Sequence, residues 1–453
     1  MIKIDYKLGF RDLNRQVRNL VDLSASKIQL LLKTWDMRQG SPVITRDGIY
    51  TTRSWTDWTS GFFFGIPLLL FDFTGDRSLL EEAKKGIKDF IPAHLTHFGV
   101  HDHGFIVIST YGNLLRLMHE NKIGHDEMED QLYKQALKVS GAVQAARWMH
   151  LCNGSGYIYS FCGRHSLFID TIRSLRSLAV AHQLGQPLLL EDNQKVSLFH
   201  RLLIHAETTA RYNIYFGEGR DAYDVRGRVA QEAIFNVDTG KFRCPSTQQG
   251  YSPYSTWTRG LAWALCGFAE QLEFLENVEE SEFRPIGEKD AVIARFLNVA
   301  KATADFYINN TPADGIPYWD TGAPGLCNIK DYLELPADPL NKYEPVDSSA
   351  AVIAAQGFIR LGNYLVQKEQ TDEGEMYLRA GLTVARNVFS EPYLSTNLDH
   401  QGLILHSVYH RPAGWDKLTS GEASMWGDYH AVELALLIYR LANNESPPTF
   451  FIK

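Results

Sequence analysis

Twelve stretches of the chain carry apolar residues at the spacing of an amphipathic helix, and little between them reads as strand. They fall at 12–35, 60–74, 78–95, 104–119, 126–149, 167–184, 196–213, 257–275, 289–308, 348–365, 372–388 and 426–442. A helix with an apolar face must bury it against another element, so an even dozen predicts helical hairpins packed side by side. The expected fold is all-α, an (α/α)6 toroid of six helical hairpins, forming a single domain over residues 1–453. One short segment departs from the pattern. Residues 233–237, AIFNV, precede Asp238-Thr239-Gly240 and read as a strand entering a hairpin turn. The irregular span 217–256 is where a domain boundary would fall if the chain were divided.

At 453 residues and 45% apolar, the chain can bury a large core. Its 53 acidic and 45 basic residues leave a net charge of −8, which argues against a nucleic-acid partner or a polyanionic surface. An acidic ligand would have to be met by a few placed cations. Aromatic residues reach 12%, with 9 Trp and 21 Tyr, and such rings either stack on sugars or fill helical cores. The 5 cysteines, Cys152, Cys162, Cys244, Cys266 and Cys327, include no C-x-x-C pair, which fits a reduced compartment better than a disulfide framework or a zinc site. The opening MIKIDYKLGFRDLNRQ lacks an apolar signal core, and the apolar run 61–71 is closed by Asp72 and too short to span a bilayer. A cytoplasmic protein without a membrane partner is expected. There is no P-loop, no dinucleotide fingerprint and no nucleophile elbow.

Chemistry concentrates in the connections, where loops at one end of a toroid would form a cleft. Residues 247–268, TQQGYSPYSTWTRGLAWALCGF, pass from a polar aromatic loop into a helix, with Gln248, Gln249, Tyr251, Tyr254, Trp257 and Arg259 close together. That mixture offers ring faces for stacking, amides for hydroxyls and a guanidinium for a carboxylate; it also describes a loop with an aromatic staple. Trp55, Asp57 and Trp58 stand at another loop-to-helix junction, as pocket lining or as staple and cap. The loop 394–424 holds His400, His406, His410, Arg411, Trp415 and Lys417.

Two aspartates stand out. Asp102, in HDHGF, is either a helix N-cap or a functional acid. Asp170, in LFIDTIRSL, is flanked by Leu167, Phe168, Ile169 and Ile172, so it faces solvent, pairs with Arg173 one turn on, or is held for a function. His101 and His103 flank Asp102 at a spacing compatible with a metal, without a companion cluster to support one. Asp347 and Asp428 each accompany a helix start and are explained by capping.

These residues fall in a collinear series of motifs that resembles the unsaturated glucuronyl hydrolases from the Trp55 region to the last helix. WTDWTSGFFFG at 55–65 resembles D-W-T-D-G-F-W, HDHGF at 101–105 resembles H-D-x-G-F, and IDTIRSL at 169–175 resembles the segment of a second aspartate. STWTRGLAWALCGF at 255–268 resembles S-T/C-W-x-R-G-Q-A-W followed by G-F, and PYWD at 317–320, DSSAA at 347–351 and WGDY at 426–429 complete the set.

The resemblance implies an (α/α)6 barrel and an unusual glycosidase reaction without metal or organic cofactor. A 4,5-unsaturated uronic acid is removed from the non-reducing end of a lyase-generated oligosaccharide. An aspartic acid protonates C4 of the vinyl ether, water adds at C5, and the hemiketal collapses to expel the remaining sugar. Carried over by position, Asp170 is the general acid and base, kept protonated by its apolar neighbours, and Asp102 is its paired carboxylate. Trp58, Gln249, Trp257, Arg259, Trp263 and Trp426 are implied to bind substrate, Arg259 through the substrate carboxylate or by supporting the site. Gln231 and Gln248, also implied to bind substrate, stand where the family commonly has histidines, which bears on sugar identity and on activity. Two other classes are compatible with the residues alone: a sugar epimerase or isomerase using the loop histidines, and a non-catalytic oligosaccharide-binding relative.

Overall fold

The computed structural model describes residues 1–53, 58–284, 286–414 and 421–452, so Trp55, Asp57, Trp415 and Lys417 lie outside the described residues. The predicted dozen helices are present. They are α1 (Asn14–Thr34), α2 (Ser60–Thr74), α3 (Arg77–Phe90), α4 (103–119), α5 (Glu127–Ala146), α6 (171–183), α7 (Leu198–Tyr212), α8 (Thr258–Leu275), α9 (Lys289–Asn309), α10 (Ser348–Gln367), α11 (Thr371–Val388) and α12 (Met425–Ala442). Two are irregular. A π-helical turn, Ile108–Gly112, interrupts α4, and α6 is two pieces meeting at Leu175.

The even-numbered helices touch in sequence, α2 to α4, α6, α8, α10, α12 and back to α2, which closes an inner ring. Odd-numbered helices pack outside it, α1 against α12 and α2, α11 against α10, α9 against α8. The chain is an all-α toroid of the α/α type. Burial follows the ring. Residues 348–362 of α10 are buried without a break, whereas outer α3 buries a stripe of Leu79, Leu80, Ala83, Gly86 and Ile87. One hydrophobic cluster runs from Ile2 to Phe451. Among the described residues no helix is long and apolar enough to cross a membrane.

A small antiparallel sheet decorates one end. It consists of β1 (Ser166–Phe168), β2 (Glu232–Phe235) and β3 (Phe242–Ser246), in the order β1-β2-β3. The predicted hairpin is therefore present, and its turn is held by Asn236, whose side-chain oxygen accepts from the amides of Asp238 and Thr239. The expected helix at 167–184 begins late because 166–168 is strand, since a continuous apolar run suits either state. The sheet places two loops side by side. β1 leads through Ile169 into Asp170, β3 leads into 247–249, and the Ile169 amide donates to the Gln231 carbonyl at 2.9 Å.

Inside the ring lies a buried ion cluster. Arg173 donates to Glu270 at 2.9 and 3.0 Å, to Glu433 at 2.8 Å and to the Gln356 amide oxygen at 2.9 Å, and it contacts His430. Arg176 lies 3.5 Å from Glu270, and Arg360 reaches Glu273 at 2.7 Å. The expected pairing of Arg173 with Asp170 does not occur, because α6 turns this guanidinium inward to the glutamates. Burial raises the Glu270 carboxyl, but the surrounding guanidinium charges outweigh it and hold the pKa below the ordinary value.

Candidate active site

Asp102 and Asp170 meet in one pocket because the starts of α4 and α6 approach closely. Gly104 permits this: a Cβ there would lie 2.1 Å from the Ser174 carbonyl oxygen. The Gly104 amide donates to the Ser174 hydroxyl at 3.0 Å, and that hydroxyl donates to the His101 carbonyl at 2.6 Å. Gln144 of α5 donates to the same carbonyl at 2.9 Å. Every polar atom of this junction named here is buried and bonded, so the backbone carrying both acids is fixed.

Asp102 is the N-cap of α4 by position but makes no side-chain cap bond, so its carboxylate is available to the pocket. Asp170 likewise precedes α6 without capping it. Between them stands His101, which neither composition nor spacing marked for this place. Its Nε2 lies 3.1 Å from Asp170 Oδ1 and 3.9 Å from Asp102 Oδ1. Those two oxygens are thus no more than about 7 Å apart. The ring stacks on Phe161 and meets Phe168 edge-on.

The electrostatics differ from the expectation in one respect. The apolar neighbours of Asp170 are buried, yet its side chain is 15% exposed against 10% for Asp102. Burial weighs on Asp102 and raises its carboxyl pKa; His101 opposes the shift and the Asp170 charge adds to it. For His101, burial disfavours the cation, but Asp102 and Asp170 outweigh it and raise the imidazole. His103 turns away. It bonds Ser140 through Nδ1 at 2.6 Å and the His97 carbonyl through Nε2 at 3.0 Å, and burial lowers its pKa to about 4. The two histidines therefore do not converge on one ligand. Among the described residues, the His/Cys/Asp/Glu group close enough to share an ion is His125, Glu127 and Asp130, outside this pocket.

The pocket has a volume of about 340 Å³, room for a sugar ring. Trp58, Phe105, Phe161, Trp257, Trp263 and Tyr409 supply its rings, and Gln248, Gln249, Arg259 and His410 complete the wall around His101 and the two acids. Two predicted binding residues stand behind this wall. Trp426 is fully buried, stacks on Trp58 at 5.3 Å and donates to Ser349 at 2.9 Å. Gln231 is 2% exposed, and its side-chain oxygen accepts from Thr247 Oγ1 and the Gln248 amide at 2.7 Å each and the Gln249 amide at 2.8 Å. It holds the loop that carries the wall. Tyr251 and Tyr254 are exposed beyond it.

Arg259 lines the pocket and is held by the site's own groups. Its terminal nitrogens bond Asp347 at 3.0 Å, the Val408 carbonyl, the Tyr409 carbonyl at 2.9 Å and Gln249 Oε1 at 2.6 Å. Trp257 and Trp426 lie 4.6 and 5.0 Å from the guanidinium carbon. With Oε1 occupied, Gln249 can offer its amide N–H groups to a ligand. Gln248 donates to Cys162 Sγ at 2.7 Å. Asp347 does cap α10, through Ser349, but Asp428 does not cap α12. Ser424 does so, while Asp428 accepts from Tyr50 at 2.6 Å and from the Leu403 and Ile404 amides at 2.9 Å each. The capping explanation for Asp428 is thereby corrected: the helix starts earlier, and the carboxylate ties two loops to it.

No family model matches the chain. Among curated proteins it is 25% identical over 397 residues to an unsaturated glucuronyl hydrolase of Formosa agariphila, covering 83% of this chain and 78% of that protein. It is 26% identical over 405 residues to an unsaturated glucuronyl hydrolase of Bacillus sp. strain GL1, covering 86% and 88%. The crystal structure of the unsaturated glucuronyl hydrolase from Bacillus sp. GL1 superposes with a TM-score of 0.72 at 23% identity, covering 96% of this chain and 98% of that one. This chain is a relative of the unsaturated glucuronyl hydrolases.

A Streptococcus agalactiae unsaturated glucuronyl hydrolase mutant complexed with dGlcA-GalNAc6S shares the fold at a TM-score of 0.64 and 19% identity, over 95% of this chain and 92% of that one. Set against the unsaturated glucuronyl hydrolase motifs, the quoted residues assemble as a group. Asp102, Asp170, Trp58, Gln248, Gln249, Trp257, Arg259 and Trp263 share one pocket, and Gln231 and Trp426 form its backing. Phe105, Phe161, Tyr409 and His410 also line it. Phe105 was visible inside the HDHGF motif, whereas nothing in the sequence around Phe161 or Tyr409 set those rings apart from core aromatics.

Proposed function

We propose that this chain is a hydrolase that removes a 4,5-unsaturated uronic acid from the non-reducing end of lyase-generated oligosaccharides, acting as one catalytic domain. The observation that carries the reading is the convergence of Asp102 and Asp170 on a ring-lined pocket the size of one sugar, in a chain related to enzymes of that name. Relatives named unsaturated chondroitin disaccharide hydrolase support a uronyl disaccharide as the substrate class.

In the proposed reaction Asp170 gives its proton to C4 of the vinyl ether, and positive charge develops at C5. Water adds there and returns a proton to the Asp170 carboxylate. The C5 hemiketal then opens and the leaving sugar departs with its own oxygen. Asp102 is the paired carboxylate, and its charge state is tied to that of Asp170 through their proximity. Trp58, Trp257 and Trp263 stack on the ring, Gln249 offers N–H donors to its oxygens, and Gln248 lies beside them. Gln231, Arg259 and Trp426 hold that wall in place. We place the protein in the cytoplasm on the basis of its cysteine usage.

The test follows two signals in one tube: loss of the ultraviolet absorbance of the conjugated double bond and release of the second sugar. Vinyl-ether hydration predicts that the absorbance falls no later than the second sugar appears. Release of a sugar acid that still absorbs would mean direct attack at the anomeric carbon. An epimerase reading is weaker, since of His400, His406 and His410 only His410 reaches the pocket.

A further inference from the structure

One tightly held group in the pocket has no part in the proposed chemistry. His101 is 1% exposed, its carbonyl is fixed by Ser174 and Gln144, and its ring is held between Phe161 and Phe168. Its Nδ1 accepts from the Phe161 amide at 3.3 Å, so the proton that this nitrogen lacks must sit on Nε2, which faces Asp170 Oδ1. We propose that His101 is the positioning residue of the reaction, whose Nε2–H fixes one oxygen of Asp170 so that the other carries the transferred proton. The proposal rests on the reaction assigned above.

The step balances without a proton leaving His101. The Asp170 O–H bond breaks, the C4–H bond forms, and the carboxylate left behind keeps one oxygen on Nε2–H until water at C5 restores the lost proton. An imidazole N–H to a carboxylate is strongest when the carboxylate is charged, so the bond tightens as the proton leaves. The charged groups that face it are Asp102 beside it, Asp170 from the start of α6, and Arg147 after α5. His205 of α7 contributes little because burial lowers its own pKa to about 3, keeping it neutral.

Two readouts test this. The first needs no substrate: the His101 ring is titrated by nitrogen NMR in the wild type and in Asp170→Asn, with the resonance assigned by its loss in His101→Gln. The proposal expects the His101 pKa to fall by about one unit when the Asp170 charge is removed; an unchanged pKa overturns the link. The second is the split between kcat and KM on an unsaturated chondroitin disaccharide. His101→Phe, which keeps a ring without a donor, is expected to lower kcat by about 10²-fold with KM within about threefold. His101→Gln, which restores an N–H near the same place, should recover at least about tenfold of that loss. If His101→Gln is no better than His101→Phe, His101 only fills space. A wild type inert on every such disaccharide would sink the proposed reaction, while the NMR result would still decide whether His101 is tied to Asp170.

Discussion

The pocket and the ion cluster beneath it pair acids with cations in different proportion. In the ring interior, Glu270 and Glu433 face Arg173 and Arg176 while Arg360 joins Glu270 to Glu273, so each acid has a guanidinium partner, and these charges keep the carboxyl pKa of Glu270 below its ordinary value despite full burial. In the pocket, burial raises the pKa of Asp102, and the one imidazole it shares with Asp170 does not offset this. Burial alone therefore does not set the charge of an acid; the ratio of cations to acids around it does. A cation for every acid makes a structural cluster. Too few cations leave the Asp102 carboxyl raised beside the acid that the proposed reaction assigns.

The largest break in this contrast should come from Asp170→Asn, which removes the transferable proton. Turnover is expected to fall by about 10²–10⁴-fold with the melting temperature within a few degrees of wild type, read by absorbance decay and calorimetry. A variant with near-wild-type turnover would show that the acid is elsewhere. In the interior, Glu270→Gln should leave turnover at first intact per folded molecule and instead remove about 3–5 kcal/mol of stability, because Arg173 loses a buried partner.

The sign of the pH dependence separates the two regions further. Glu270 titrates below its unfolded value of 4.5, so its contribution is present above that pH and is lost as pH falls through the lower folded value. Asp102 titrates above its unfolded value of 3.8, so it costs stability at pH 7, and the cost disappears as the pH drops toward 3.8. Asp102→Asn is therefore expected to melt above wild type at pH 7, with the gain shrinking in acid, while turnover falls by about 10²-fold. Melting curves of both variants at pH 4 and pH 7 check this; shifts of the same sign would erase the distinction. The smallest effect should come from Gln231→Leu. Three donors lose their acceptor and the 247–249 loop loosens, so KM should rise by about three- to tenfold with a smaller change in kcat, measured on the same disaccharide.

Much of this was legible in the amino-acid order. Twelve helices follow from apolar periodicity because each needs a buried face, and both aspartates appear in motifs that the fold brings together. What could not be read were properties of the third dimension. His101 looked like half of a metal-spaced pair, since sequence spacing does not tell that His103 turns to Ser140 while His101 turns to Asp170. Asp170 looked more desolvated than it is, because its apolar neighbours point into the core while the carboxyl points into the pocket. Gln231 and Trp426 looked like ligand contacts because motif position identifies a neighbourhood, not which side of the wall a side chain occupies. The strand at 166–168 was hidden in an apolar run that suits helix equally.

The account depends above all on protonation of a carbon–carbon double bond by this acid pair. The direct measurement is the decay of ultraviolet absorbance when the wild type and Asp170→Asn are incubated with unsaturated disaccharides cut by lyases from several uronic-acid polysaccharides. The account predicts that the wild type bleaches at least one of them and that Asp170→Asn bleaches none at a comparable rate. Absorbance that persists with the wild type on every substrate, or equal bleaching by both proteins, would contradict it.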